Sequence, residues 1–317
     1  MAAEHDAMVT VSGVEVACRI GLPVGSPKAA VLLLPGSLYS DVDGNYPSMN
    51  MRPHGYADLA RHLAALGFAS LRMAKIGPGT GSRTVDAEAA KKHQDFRMRV
   101  SVAEAGLDLL QSTAPAPLTL AAGHSEGAVV AALLAQGPAG ERIAGMVSLS
   151  GPALPLLTLM REQVAAMTPP GVAPQLAMFD RTVAAIRAGE PIPAQALSDP
   201  SSAMLAGMPA PAHAYLRSVD AVDPLAETAR VKQPVLIVQG GRDDSVPASH
   251  AERLRTARGP LPTQTAFFPA LTHFYKQAPE GLNPLQAMAL ETESDPAVAN
   301  AIVLWAKSIK QQGPSFG

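Results

Sequence analysis

The sequence holds one cysteine, Cys18, among its 317 residues. An intrachain disulfide is therefore impossible, and a thiolate metal cluster is excluded. Aromatic residues are scarce at 4%. Basic charge has no surplus: the net charge is −2, and Lys and Arg are scattered along the chain. A nucleic-acid partner or an anionic membrane surface would require a basic patch, so neither is expected. No apolar run approaches the ~18 residues of a membrane span. The start, Met1-Ala-Ala-Glu-His-Asp6, is polar and acidic and lacks the basic n-region and apolar stretch of a secretory signal. A cytoplasmic location is the default expectation, although a protein trimmed of its signal would look the same.

Apolar residues are plentiful at 47%, against 16% charged, which is ample material for a core. The 29 prolines fall between apolar segments, and so punctuate loops rather than mark disorder. Met8–Ser12 and Val14–Gly21 flank Gly13 as a hairpin. Ala30–Leu34 is a continuous apolar run stopped by Pro35-Gly36, the pattern of a strand buried on both faces. A helix over Tyr56–Leu66, a strand over Phe68–Met73 and a helix over Asp95–Ser112 follow. Then come a strand over Leu118–Ala122, a helix over Glu126–Gln136 and a strand over Ile143–Leu149. This alternation predicts an α/β fold with a mostly parallel sheet flanked by helices.

From Pro152 to Val231 the rhythm breaks. Helical stretches such as Leu156–Met167 and Pro174–Ala188 are divided by prolines, and Met160, Met167, Met178, Met204 and Met208 fall here. Singly, such methionines fill packing gaps; as a segment they suit an adaptable apolar pocket wall. The alternation resumes with strands over Pro234–Gln239 and Thr263–Phe268 and helices over Ala248–Ala257 and Asp295–Lys310. The chain thus divides into a core of residues 1–151 and 232–317 and a helical module of residues 152–231.

Gly123-His-Ser125-Glu-Gly127 lies between a predicted strand and a predicted helix. A serine in a sharp, strained turn there stands at the sheet edge, and glycine is needed two residues to either side for steric reasons. The pentapeptide alone is weak evidence, arising by chance about once in ten chains of this size. Gly313-Pro-Ser315-Phe-Gly317 also fits it, but has no strand before it and no helix after it. A serine nucleophile needs a base oriented by an acid, in the chain order Ser, acid, His. After the strand at Pro234–Gln239 come Gly-Gly-Arg-Asp243-Asp244, where one aspartate suits the acid and the other a turn or helix cap; Asp243 is favoured. His273 is the only histidine after the strand Thr263–Phe268. His124 belongs to the turn itself, and its side chain is expected to point away from Ser125 Oγ. Two N–H donors for an oxyanion are expected from Glu126 and, after Pro35-Gly36, from Ser37. The Gly-rich Lys75–Ser82 lacks the Gly-Lys-Ser/Thr ending of a phosphate loop, and no spacing of the His-Glu-x-x-His kind suggests a metal. No cofactor and no metal are expected.

These segments resemble the α/β-hydrolase superfamily, in particular its serine-aminopeptidase-like and acyl-esterase-like branch. Pro35-Gly-Ser-Leu38, continued to Asp41-Val-Asp-Gly44, is similar to that branch's oxyanion loop, and Leu71–Ser82 to its Arg-Tyr-Asp-Lys-Arg-Gly-x-Gly-x-Ser segment. Gly123–Gly127, Gly240–Pro247 and His273 complete the match, which runs from about residue 8 to 310. Leu38 stands for a common glycine, Met73-Ala74 for Tyr-Asp and Ile76 for Arg, so the loops are more apolar. The resemblance implies an eight-stranded sheet with a helical cap inserted after the sixth strand. It implies a Ser125–His273–Asp243 triad acting on a small-molecule carboxylic ester of small to medium acyl chain. An aminopeptidase or amidase is the alternative, with Glu126, Asp180, Glu190 or Asp199 as candidates to hold a substrate amine; a non-catalytic ligand-binding relative is a remote one. Oligomeric state is left open, a homodimer included.

Overall fold

Strands β3 (Ala29–Leu34), β4 (Phe68–Met73), β6 (Thr119–His124), β7 (Gly145–Leu149) and β8 (Val235–Gly240) are buried at every residue. That is why the sequence shows them as continuous rather than alternating apolar runs. The structure is a computed structural model and describes residues 3–167 and 176–312. The long strands line up in the order β1-β2-β4-β3-β6-β7-β8-β9, with β1 at Ala3–Val11, β2 at Val14–Leu22 and β9 at Thr263–Phe268. From β4 to β9 every pairing in that order is parallel, while β2 runs antiparallel to both β1 and β4. This is the α/β-hydrolase fold.

Alternate residues of β3 serve two cores. Ala30, Leu32 and Leu34 join a cluster with Leu107, Leu110, Val130 and Leu134, from the helices Met98–Thr113 and Glu126–Gln136. Ala29, Val31 and Leu33 join another with Leu59, Leu63, Ile302 and Trp305, from the helices Gly55–Ala65 and Ala297–Gln312. Period-two side-chain direction across a pleated strand is what allows one strand to feed both faces.

The structure corrects the sequence reading in three places. A ninth strand of two residues, β5 (Arg83–Thr84), pairs with β2, so the helical insertion follows the seventh strand in chain order. Two residues of exposed Arg-Thr carry no periodic signal. β1 begins at Ala3, not Met8. Its first residues are mostly polar, and cross-strand ion pairs from Asp6 to Arg19 at 2.6 Å and from Glu4 to Arg72 at 2.7 Å hold them where apolar alternation does not. The hairpin itself forms as expected, with Ser12 (φ 42°) and Gly13 (φ 75°) both left-handed, as a two-residue turn matching strand twist requires. The long helix begins at Met98 rather than Asp95, after a short 3-10 turn over Lys91–Gln94.

Between β7 and β8 lie the helices Leu156–Ala166, Ala177–Ala188, Ala203–Ala206, Ala210–Asp220 and Pro224–Arg230. They enclose a small core of their own, in which Leu157, Phe179, Val183, Ile186, Leu205 and Leu216 are buried. The start of the expected Pro174–Ala188 helix and the prolines at 169–170 lie outside the described residues, as does the second pentapeptide, Gly313–Gly317.

Candidate active site

Ser125 ends β6 and opens the helix Glu126–Gln136 with φ 54° and ψ −125°. A non-glycine residue held there carries about 1–3 kcal/mol of strain, which the surroundings must impose. They do so through Ser125 N donating to Leu149 O at 2.8 Å and Ala128 N donating to Ser125 O at 2.9 Å. The flanking glycines are sterically required. A Cβ on Gly123 would sit 2.0 Å from Gly127 O, and one on Gly127 would sit 2.3 Å from Leu34 O. The strand, turn and helix are therefore wedged too closely for any side chain but hydrogen at either position.

Asp243 and His273 come together across the ends of β8 and β9. His273 Nδ1 is 2.8 Å from Asp243 Oδ2. Asp243 Oδ1 also accepts from the Val246 and Ser245 amides at 2.8 and 3.0 Å. Burial alone would raise the Asp243 carboxyl, but the charge of His273 and the bonds from His273 and the Val246 amide outweigh it and hold the carboxyl below its usual range. The two loops are laced by Gly241 N to Phe268 O at 2.8 Å and Arg242 N to Leu271 O at 2.9 Å. Asp244 is exposed; burial of part of its side chain and then the nearby Asp243 push its carboxyl up. Of the two aspartates it is Asp243, the one the sequence favoured, whose carboxylate meets His273. Ser125 Oγ makes no hydrogen bond to His273; such contacts commonly tighten only when substrate binds.

His124 is fully engaged elsewhere, as expected for a turn residue facing away from Oγ. Its Nε2 lies 3.0 Å from His273 O and its Nδ1 lies 3.1 Å from Tyr56 Oη. A carbonyl can only accept, so Nε2 carries the proton and Nδ1 accepts from the Tyr56 hydroxyl. That hydroxyl in turn accepts from Gly36 N at 2.9 Å. Burial, then the neighbouring His273, depress His124 to about 3, so the ring is neutral. Of the other histidines, His250 is buried and accepts from Ala153 N at 2.9 Å, which ties the start of the helical insertion to the core.

The loop after β3 passes over the same turn: a Cβ on Gly36 would lie 3.3 Å from Ser125 Cβ. Because Gly36 N–H is bound to Tyr56, the next free donor in the loop is Ser37 N–H. Ser37, Ser125 and Glu126 line one cleft of about 330 Å³ including its open mouth, together with Val129, Leu154, Leu159 and Val219. The cleft wall supplied by the insertion is Leu, Val and Pro, not Met: Met167 and Met204 are more than 60% exposed, while Met160 and Met208 pack on the insertion's own core.

Sequence reasoning missed a buried ionic cluster next to this cleft. Glu126, expected to contribute its N–H and considered as a carboxylate for a substrate amine, buries that carboxylate; Oε1 accepts from Lys75 Nζ at 2.9 Å, from Tyr215 Oη at 3.0 Å and from Arg99 Nη1. Burial would raise this carboxyl, but Lys75 and Arg99 hold it down at about 2. The four residues lie far apart in the chain, and no local pattern signals them. The remaining acids considered for a substrate amine are also committed or exposed. Asp180 is paired with Arg161 at 2.6 Å, Asp199 accepts from the Ser201 amide at 3.0 Å and lies in the bend before Ser202, and Glu190 is on the surface. Among the described residues no group of three or more His, Cys, Asp or Glu could hold a metal, and no helix is long and apolar enough to cross a membrane.

A family model described as serine aminopeptidase, S33 matches residues 49–275. A search of curated proteins found no match. Among solved structures, Est1E from Butyrivibrio proteoclasticus is 13% identical with a TM-score of 0.55, covering 96% of this chain and 99% of its own. A Pyrococcus furiosus esterase is 16% identical with a TM-score of 0.54, covering 86% and 83%. A lipase in an open form is 18% identical with a TM-score of 0.58, covering 97% and 99%.

Proposed function

The chain belongs to the serine aminopeptidase, S33 family, and we propose that it is a serine hydrolase acting on carboxylic esters with apolar acyl groups of small to medium length. Ser125 is the nucleophile. His273 Nε2 takes the Ser125 proton as Oγ attacks the ester carbonyl carbon, and Asp243 holds the Nδ1–H tautomer and steadies the imidazolium that forms. The tetrahedral oxyanion is held by the Ser37 and Glu126 N–H groups. Collapse expels the alcohol, which receives the proton from His273. Water activated by the same histidine then hydrolyses the acyl-enzyme and frees the acid. Residues 152–231 act as a cap over this site on a core of residues 1–151 and 232–317, supplying the cleft wall at Leu154, Leu156, Leu159, Val219 and Val222.

The observation that carries the ester reading is the cleft beside Ser125. It joins the strained serine to an apolar wall, and among the described residues the only acid that lines it, Glu126, already holds Lys75 and Arg99. An aminopeptidase must offer a carboxylate to the substrate's free ammonium group, because a buried charge without a partner is costly. The esterase and lipase names of the structural neighbours point the same way.

Turnover of p-nitrophenyl butyrate against aminoacyl p-nitroanilides, for the native protein and Ser125→Ala, tests this. The expected result is ester turnover that vanishes in the folded Ser125→Ala protein. Faster anilide cleavage would replace the reading by the aminopeptidase, and failure of a fluorophosphonate to label Ser125 would point to the non-catalytic alternative. A series from acetate to dodecanoate locates the acyl length at which the cleft is filled.

A further inference from the structure

Lys75, Arg99, Glu126 and Tyr215 come from the β4 loop, the helix Met98–Thr113, the turn after Ser125 and the helix Ala210–Asp220, and the mechanism above gives their side chains no step. They bury two cations against one carboxylate. Glu126 is 3% exposed and Lys75 7%, and Glu126 Oε2 has no hydrogen-bond partner. A buried cluster of this composition carries a net positive charge next to the cleft that holds Ser125.

The cations reach beyond Glu126. Arg99 Nη2 donates to Pro35 O at 2.6 Å, and Lys75 Nζ donates to Ser37 O. Pro35 O belongs to the peptide unit ending at Gly36 N, and Ser37 O to the unit ending at Leu38 N. These are the two units flanking the one that carries the Ser37 N–H. With both neighbours pinned and Gly36 N bound to Tyr56 Oη, the Ser37 N–H has little freedom to turn. Tyr215 adds a contact from the insertion: its hydroxyl donates to Glu126 and its ring lies 5.1 Å from Lys75 Nζ.

We propose that Lys75 and Arg99, seated on Glu126, are positioning residues that aim the Ser37 N–H at the developing oxyanion and place a net positive charge beside it. This rests on the ester-hydrolase reading. Negative charge builds on the carbonyl oxygen only as the transition state is approached, so a fixed cation excess in a low-dielectric site favours that state over bound substrate. A purely structural ion pair would act on stability and leave the ratio of the two states alone. The groups facing Lys75 are Glu126, Arg99, Tyr215 and the Ser37 carbonyl. Burial depresses the Lys75 ammonium to about 8, partly offset by Glu126 and reinforced by Arg99. Its charge is therefore the first of the cluster to be lost as pH rises.

The test compares the full-length native protein with Lys75→Met, Lys75→Arg and Tyr215→Phe. It reads kcat and KM for p-nitrophenyl butyrate, the Ki of butaneboronic acid as a tetrahedral mimic, and Tm. Lys75→Met is expected to lower kcat about 10- to 100-fold with KM changed by less than about threefold, and to weaken the boronate by the same factor as kcat. Native kcat/KM should fall above about pH 8, and Lys75→Arg should restore most of kcat and remove that fall, since its guanidinium stays charged. A folded Lys75→Met with native kcat and boronate affinity would overturn the proposal. A native protein that turns over no ester would instead remove the underlying reading.

Discussion

On one flank of Ser125 stand Asp243, His273, His124 and Tyr56: one carboxylate among aromatic rings, with His124 kept neutral by burial. On the other stand Lys75, Arg99 and Glu126, two cations about one carboxylate. Each flank suits the charge it would receive in acyl transfer. The first must accept a proton and so holds a lone anion in reserve. The second must accept negative charge and so holds cations in excess. Tyr56 and His124 bridge the two, running from Gly36 N–H to the carbonyl of His273. The position of the base loop and that of the loop after β3 are thereby tied by one chain of hydrogen bonds.

The most severe test of this contrast removes the anion of the first flank. Asp243→Asn should keep the fold but present the wrong His273 tautomer, lowering kcat/KM about 10⁴-fold. A loss under tenfold would mean that this flank does not work as a charge reserve. Next in size is the acid response of the second flank. The Glu126 carboxyl is held at about 2, below its unfolded value, so its stabilisation is complete above that unfolded value and is lost as pH falls toward 2. Urea titrations from about pH 5 to 2 should show Glu126→Gln losing less stability on acidification than the native protein. Equal slopes would remove the ionic account of that flank. Smallest are the bridge variants. His124→Phe leaves the Tyr56 hydroxyl without its acceptor and the His273 carbonyl without a donor, and should cost about 1–3 kcal/mol in urea unfolding together with a several-fold loss of kcat/KM. Tyr56→Phe leaves only Gly36 N–H without its acceptor and Nδ1 without a donor, and should cost about 1 kcal/mol. Variants that change stability but not kcat/KM would show that the flanks act independently.

Much of the fold was legible because its signals are local. A continuous apolar run such as Val31–Leu34 announces a strand covered on both faces, and Gly123-His-Ser-Glu-Gly127 announces a turn that only hydrogen can fit at each end. What escaped reading was polar. The first residues of β1 pair through Glu4 and Asp6 rather than through apolar contact, and β5 is too short to have a period. The methionines suggested a pocket wall, yet apolar composition cannot say which face a residue presents; the cleft is lined by Leu and Val instead.

By itself, the sequence determined the α/β class, the strained position of Ser125, and the order in which an acid and a histidine follow it, since each depends on neighbours within a few residues. The sequence favoured Asp243 over Asp244, but only the tertiary structure shows which carboxylate meets His273, because that turns on where the β9 loop lies. Only the tertiary structure, too, showed Glu126, noted for its N–H and as one of four acids for a substrate amine, to be the seat of a buried ionic cluster. Its partners Arg99, Lys75 and Tyr215 lie 27, 51 and 89 residues away along the chain. Groups so far apart in sequence meet only when the sheet has formed and the helical insertion has brought Tyr215 against Glu126, so no pattern of spacing records them.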